Sequence, residues 1–142
     1  MPVKVADLYF MCYSNREQKK IKVNIFMLHT HDTLYSESRE NMRDGKGSVT
    51  ITHLWKKEEM SSSHCRMAAL LTLPPGSSIG YHTHDNEEEI FAVIKGTAIF
   101  DDNGTVKTMN PGDTSLTGAG AGHSLANGGS EDLVVMAVIN TF

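Results

Sequence analysis

The sequence predicts an all-β domain, either a sandwich or a barrel. Three observations carry that prediction. Short apolar or alternating segments recur along the chain with the two-residue period of strands. Turn signals built on Gly, Pro and Asn separate them about every ten residues. No stretch keeps the 3.6-residue period of a long helix. At 142 residues the chain has room for one domain with a single core.

Residues 1–35 are the least regular part. Segments 5–13 and 21–28 read as two strands around the polar turn 14–20. They form an arm or extension that could pair with another strand or another subunit, and Met27 is a candidate natural start. Residues 36–142 form the single domain. Segment 36–46 is polar and reads as a loop ending at Gly45-Lys46-Gly47. Segment 49–55 alternates Val, Ile and Leu with Thr and His, as a half-buried strand does. Trp55 at its end reads as core or interface. His64, beside the charged and Ser-rich connection 56–63, reads as solvated.

Segment 66–73 is apolar nearly throughout and is stopped by Pro74-Pro75-Gly76. Strands follow at 79–84, 89–94 and 97–101. Asn103-Gly104 predicts a type I′ hairpin, because the dipeptide supplies two positive φ angles. The chain returns through 106–109, turns at Pro111-Gly112-Asp113, and continues through 114–117, 123–127 and 133–139. Segments 67–73, 90–94 and 133–139 are apolar on both faces. A lone barrel buries only its inner face, so the outer face needs a cover, either the arm or a second subunit. A homodimer is the expectation.

Composition excludes several function classes. The net charge of −4 and the lack of a basic cluster argue against nucleic acid as a partner. No apolar run has the length of a membrane span, and residues 1–24 lack the apolar core of a signal peptide. Cys12 and Cys65 have no metal-site spacing. A cytoplasmic protein is expected, in which a structural disulfide would be unusual.

The chemistry concentrates between Gly76 and Asn127. His82 and His84 are two residues apart, so on a strand both imidazoles reach one point. Glu87, Glu88 and Glu89 follow, and His123 lies beyond a glycine-rich run. Three imidazoles and one carboxylate suit a divalent first-row metal, Mn, Fe, Co, Ni or Zn, with coordination positions left open. Strand parity alone leaves the acidic ligand undecided. Residues 90–94 are apolar at every position, so either Glu88 or Glu89 could face inward.

These residues resemble the two motifs of the cupin superfamily, in the oxalate decarboxylase and germin-like form. The first motif is Gly, five residues, His-x-His, three or four residues, Glu, six residues, Gly. Gly76, His82, His84, Glu89 and Gly96 meet it. The second is Gly, five residues, Pro-x-Gly, two residues, His, three residues, Asn. Gly112, Gly120, His123 and Asn127 meet it, with Gly118 in place of the usual Pro. The resemblance implies a double-stranded β-helix, a jelly-roll barrel, holding a metal on His82, His84, Glu89 and His123. It selects Glu89 by spacing and leaves Glu87 and Glu88 in a solvated turn. If Glu89 faces inward, Phe91 does too, and Leu125 shares a face with His123. These neighbours would line a small pocket for a compact oxygen-rich ligand, or simply pack the core.

His29-Thr-His31-Asp32 repeats the tetrapeptide at 82–85 but not its setting. No glycine occurs before Gly45, and Glu37 lies one residue too far. His29 and His31 therefore read as ordinary strand-end or surface histidines. Proteins similar to this one include oxalate oxidases and decarboxylases, dioxygenases, and sugar isomerases or epimerases. The intact ligand set favours a metal-dependent enzyme acting on a small carboxylate, keto acid or sugar. The alternative is a non-catalytic metal-dependent binding or sensing module, since related storage proteins use the fold without catalysis. No catalytic acid or base can be named from the sequence.

Overall fold

The computed structural model describes residues 28–61 and 64–142. Among these, ten strands run in chain order: β1 Tyr35–Glu40, β2 Ser48–Trp55, β3 Cys65–Leu73, β4 Ser78–Thr83, β5 Glu87–Lys95, β6 Ala98–Asp102, β7 Thr105–Met109, β8 Thr114–Gly118, β9 Gly122–Asn127 and β10 Leu133–Thr141. They make two antiparallel sheets, ordered β1-β2-β3-β10-β5-β8 and β4-β9-β6-β7. The architecture is the double-stranded β-helix. The segments at 5–13 and most of 21–28 lie outside the described residues.

Alternation builds the core. Along β10, Leu133, Val135, Ala137 and Ile139 are buried while the residues between them are half-buried. β10 pairs with β3 on one side and β5 on the other, so Leu71 and Phe91 join the same layer. Ile79, Phe100 and Leu125 close the core from the smaller sheet. Each fully buried side chain of this size contributes about 1.5–3 kcal/mol. The Asn103-Gly104 hairpin forms as its dipeptide predicts, with φ angles of 49° and 93°.

One polar segment departs from the sequence expectation. Within 36–46, residues through Glu40 belong to strand β1, paired along its length with β2. The strand lies at the sheet edge and is almost wholly exposed, so no apolar alternation marks it. Backbone pairing and polar contacts hold it, including Ser36 Oγ at 2.8 Å from Thr52 Oγ1. A 3-10 turn, Met42–Asp44, then lays Met42 against the core.

β4 carries an irregularity that matters for the site. Ile79 pairs with Leu125, yet His82 pairs with His123, so β4 holds one extra residue across Gly80-Tyr81. This bulge resets the alternation. Ile79 points into the core, and His82, three residues on, points inward as well. Tyr81 turns out, half exposed, over Gly122. Gly80 is required here: a Cβ on it would overlap the carbonyl oxygen of Arg43 in the 3-10 turn. Gly80→Ala should therefore lower the unfolding free energy by about 1–3 kcal/mol, the cost of overpacking. Denaturant titration checks this. An unchanged midpoint would mean the turn yields freely.

Candidate metal centre

Four side chains converge inside the barrel near its rim. His82 comes from β4. His84 stands just past it, fixed by backbone bonds in which its N–H donates to the Ala121 carbonyl and its carbonyl accepts from the Gly120 N–H, both at 3.0 Å. Glu89 comes from β5 and His123 from β9. The β4–β9 register sets His82 directly opposite His123. His84, Glu89 and His123 are buried, and His82 is nearly so.

Their donor atoms share one small volume, within 4.8 Å of one another. Glu89 Oε2 lies 3.0 Å from His84 Nε2, 3.0 Å from His123 Nε2 and 3.7 Å from His82 Nε2. His123 Nε2 lies 3.1 Å from His84 Nε2 and 3.2 Å from His82 Nε2. Two ligands at about 2.1 Å from a common ion, at right angles, stand about 3.0 Å apart. The separations of 3.0–3.2 Å match that edge, and the His82–Glu89 one at 3.7 Å is wider.

The outer ring nitrogens show why the group fits a cation. His82 Nδ1 sits 2.9 Å from the Gly80 carbonyl, and His84 Nδ1 sits 2.9 Å from Glu87 Oε1. Both partners are acceptors, so in each neutral ring Nδ1 carries the proton and Nε2 turns a lone pair inward; only a protonated ring donates from Nε2 to Glu89. Lone pairs and a carboxylate gathered at 3 Å repel one another unless a proton or a cation lies between them. His123 is held differently. Its buried Nδ1 has no hydrogen-bond partner. Its ring stacks on Phe91 at 4.8 Å with 6° between planes, and Phe100 meets it edge-on at 5.6 Å.

Electrostatics follow from this packing. Burial pushes the Glu89 carboxyl up, but hydrogen bonds to His123, His82 and His84 outweigh it and hold the group well below the usual carboxylate range. His84 is raised, chiefly by its bond to Glu89, with burial opposing and Glu87 adding. His123 is lowered, chiefly by burial.

The solvated turn expected for Glu87 and Glu88 is not what forms. β5 begins at Glu87, and both residues are strand residues paired with β10. Glu87 lies on the same face as Glu89, and it touches His84 while a guanidinium grips its other side. Arg66 Nε and Nη2 each donate to it at 2.8 Å. The sequence reading missed both residues. Parity with Glu89 was a usable signal for Glu87. None marks Arg66, which reaches from β3 past the intervening β10.

Phe91 and Leu125 lie in the core, each 1% exposed. Asn127 is also structural: its Nδ2 donates to the carbonyls of Leu73 and Glu131, and its Oδ1 accepts from Gly129. It pins the ends of β3 and β9 to the turn before β10. His29 and His31 are not in the four-residue group. His29 packs edge-on to Trp55, with Nε2 3.4 Å from Glu59 Oε1, and His31 is exposed in a 3-10 turn. His64 is tied to the carbonyl of Thr141. Among the described residues, no helix is long and apolar enough to cross a membrane.

Known proteins with the same features agree on the family. A family model described as a cupin domain matches residues 69–139, half of the chain. A Thermotoga maritima oxalate-binding protein is 44% identical over 103 residues, covering 72% of this chain and 84% of that protein. A crystal structure from the same organism, described as a predicted oxalate decarboxylase, is 40% identical, covers 82% of this chain and 100% of that one, and superposes with a TM-score of 0.77. A sugar phosphate isomerase of the cupin superfamily from Silicibacter pomeroyi shares the fold at 21% identity, with a TM-score of 0.62 over 78% of this chain and 73% of that one. Two motifs met at every position but Gly118, a double-stranded β-helix around them and these matches lead to one conclusion: the chain belongs to the cupin superfamily.

Proposed function

We propose that the protein binds one divalent first-row metal through His82, His84, Glu89 and His123, and on it a small oxygen-rich carboxylate of the oxalate class. The convergence of three Nε2 atoms and one carboxylate oxygen on a single volume carries this reading. Such an ion would supply a Lewis acid with open positions and a net site charge of about +1, since only one ligand is anionic. That charge favours an anionic ligand. The 44% identical relative, an oxalate-binding protein, supports the choice of carboxylate. The chain's own residues do the rest. Gly80 and Glu87 fix two imidazole tautomers, Phe91 clamps the third ring, and the core beneath, Leu125 included, keeps water from the back of the site.

A second reading adds turnover of the bound carboxylate. It is favoured by the 40% identical structure described as a predicted oxalate decarboxylase. The metal-loaded protein should gain thermal stability with oxalate, by about 2.7 kcal/mol at a hundredfold excess over Kd, and none with oxalate once the metal is stripped. Absence of any shift in the loaded protein would refute the carboxylate reading. Release of formate or carbon dioxide in the same samples decides for the enzyme.

Metal titration tests the ligands. Glu89→Gln keeps the shape and removes the charge, so its affinity should fall by more than the about 10–100-fold that outer-shell partners cost. Glu88→Gln should change little, as should the double variant His29→Ala/His31→Ala. Wild-type affinity should fade as pH falls, because protons compete for the ring nitrogens, and His84, whose pKa is raised by its bond to Glu89, takes up its proton before His123, whose pKa burial lowers. If Glu88→Gln loses the metal and Glu89→Gln keeps it, the register is off by one residue.

We also propose a homodimer. The outer face of the six-stranded sheet carries an apolar band: Leu70 on β3, Met136 and Val138 on β10, Ile90 and Ile94 on β5, and Leu116 on β8. Ile94 and Leu116 are 55% and 63% exposed. An apolar band of this kind is better covered than left to water. Light scattering at micromolar concentration should give twice the chain mass, and the mass of a single chain would overturn the assignment.

A further inference from the structure

The three imidazoles are not equivalent behind their inward nitrogens. His82 leans on a neutral backbone carbonyl, and His123 has no polar partner at Nδ1. Only His84 has a carboxylate there, Glu87, at 2.9 Å. That carboxylate is held in turn by a two-pronged Arg66 contact, both bonds at 2.8 Å. The four groups form a line from the surface inward: guanidinium, carboxylate, imidazole, and the point shared with Glu89 and His123. Three elements supply it, β3, β5 and the residue after β4. We infer that Arg66 and Glu87 are a positioning pair for His84. Glu87 fixes the Nδ1–H tautomer and aims Nε2 at the metal, and Arg66 fixes Glu87.

The chemistry of each group gives the pair two separable effects. A carboxylate accepting Nδ1–H makes an imidazole a better donor at its other nitrogen and locks the ring plane. The same carboxylate, left alone, would add a second negative charge beside a site that must attract an anion. Arg66 cancels that charge. Its fork matches both oxygens of Glu87, a geometry that a lysine cannot reproduce. Glu87 therefore acts on the metal, and Arg66 acts on the anionic ligand as well.

The inference rests on the metal-centre reading, and the experiment separates the two. Mn²⁺ affinity is measured by chelator competition for wild type, His84→Ala, Glu87→Ala, Glu87→Gln, Arg66→Ala and Arg66→Lys. Oxalate affinity is then measured on each metal-loaded protein. Glu87→Ala should weaken Mn²⁺ binding about 10–100-fold. Glu87→Gln should recover part of that loss, since its amide oxygen still accepts the Nδ1 proton. Arg66→Ala should weaken oxalate binding more than it weakens Mn²⁺ binding, with Arg66→Lys in between. The absorption bands of the Co²⁺-loaded protein should shift in Glu87→Ala, which a purely structural role would not produce. If His84→Ala binds Mn²⁺ as wild type does, the metal-centre reading fails. If His84→Ala loses Mn²⁺ while Glu87→Ala keeps both wild-type affinity and the wild-type Co²⁺ spectrum, the positioning pair is wrong and the metal centre stands.

Discussion

The buried carboxylate of Glu89 is the constraint on which the site depends. A charge at that depth is costly unless it is met by donors or a cation. Three imidazoles meet it, two from the end of β4 and one from β9, so the carboxylate acts as the common reference for their placement. The barrel has to bring β4, β5 and β9 into fixed register to satisfy one atom. Core layers from both sheets, with Phe91 under His123, make that register rigid. Folding and ligand placement are thus one problem in this protein.

Most of the fold was legible because it rests on alternation. β2 shows the two-residue period in its sequence, while β3, β5 and β10 bury every second residue but read as short apolar runs bounded by turn residues, because their outer faces are apolar too. β1 was not legible, because an edge strand held by backbone pairing needs no apolar side chains. The bulge in β4 was not legible either. Gly80 offers a weak local hint, but the clash that requires glycine comes from Arg43, thirty-seven positions earlier. Long-range packing of that kind leaves no periodic trace.

The four inward residues were legible through motif spacing, which encodes their placement without showing its cause. What lies behind them was not. Glu87 and Glu88 looked like a solvated turn, although strand parity already grouped Glu87 with Glu89. Arg66 was only the first position of a segment read as apolar nearly throughout. Its partner lies two strands away, a relation that exists only once β10 has inserted between β3 and β5. Asn127 was recognised as a motif residue, and the structure gives the reason: it staples backbone, not ligand.

The bulge at Gly80-Tyr81 separates two alternations that would otherwise be locked together. Before it, parity serves the core through Ile79. After it, parity serves the site through His82 and His84. Loss of one codon there would set His82 two residues after Ile79, on the same inner face and still opposite His123, in a ladder without a bulge. Pairing β4 straight through at its present length would instead put His82 and His84 on the outer face and take away two of the four inward donors. The bulge thus lets the strand carry an extra residue at the close approach to Arg43 without changing which face the histidines occupy.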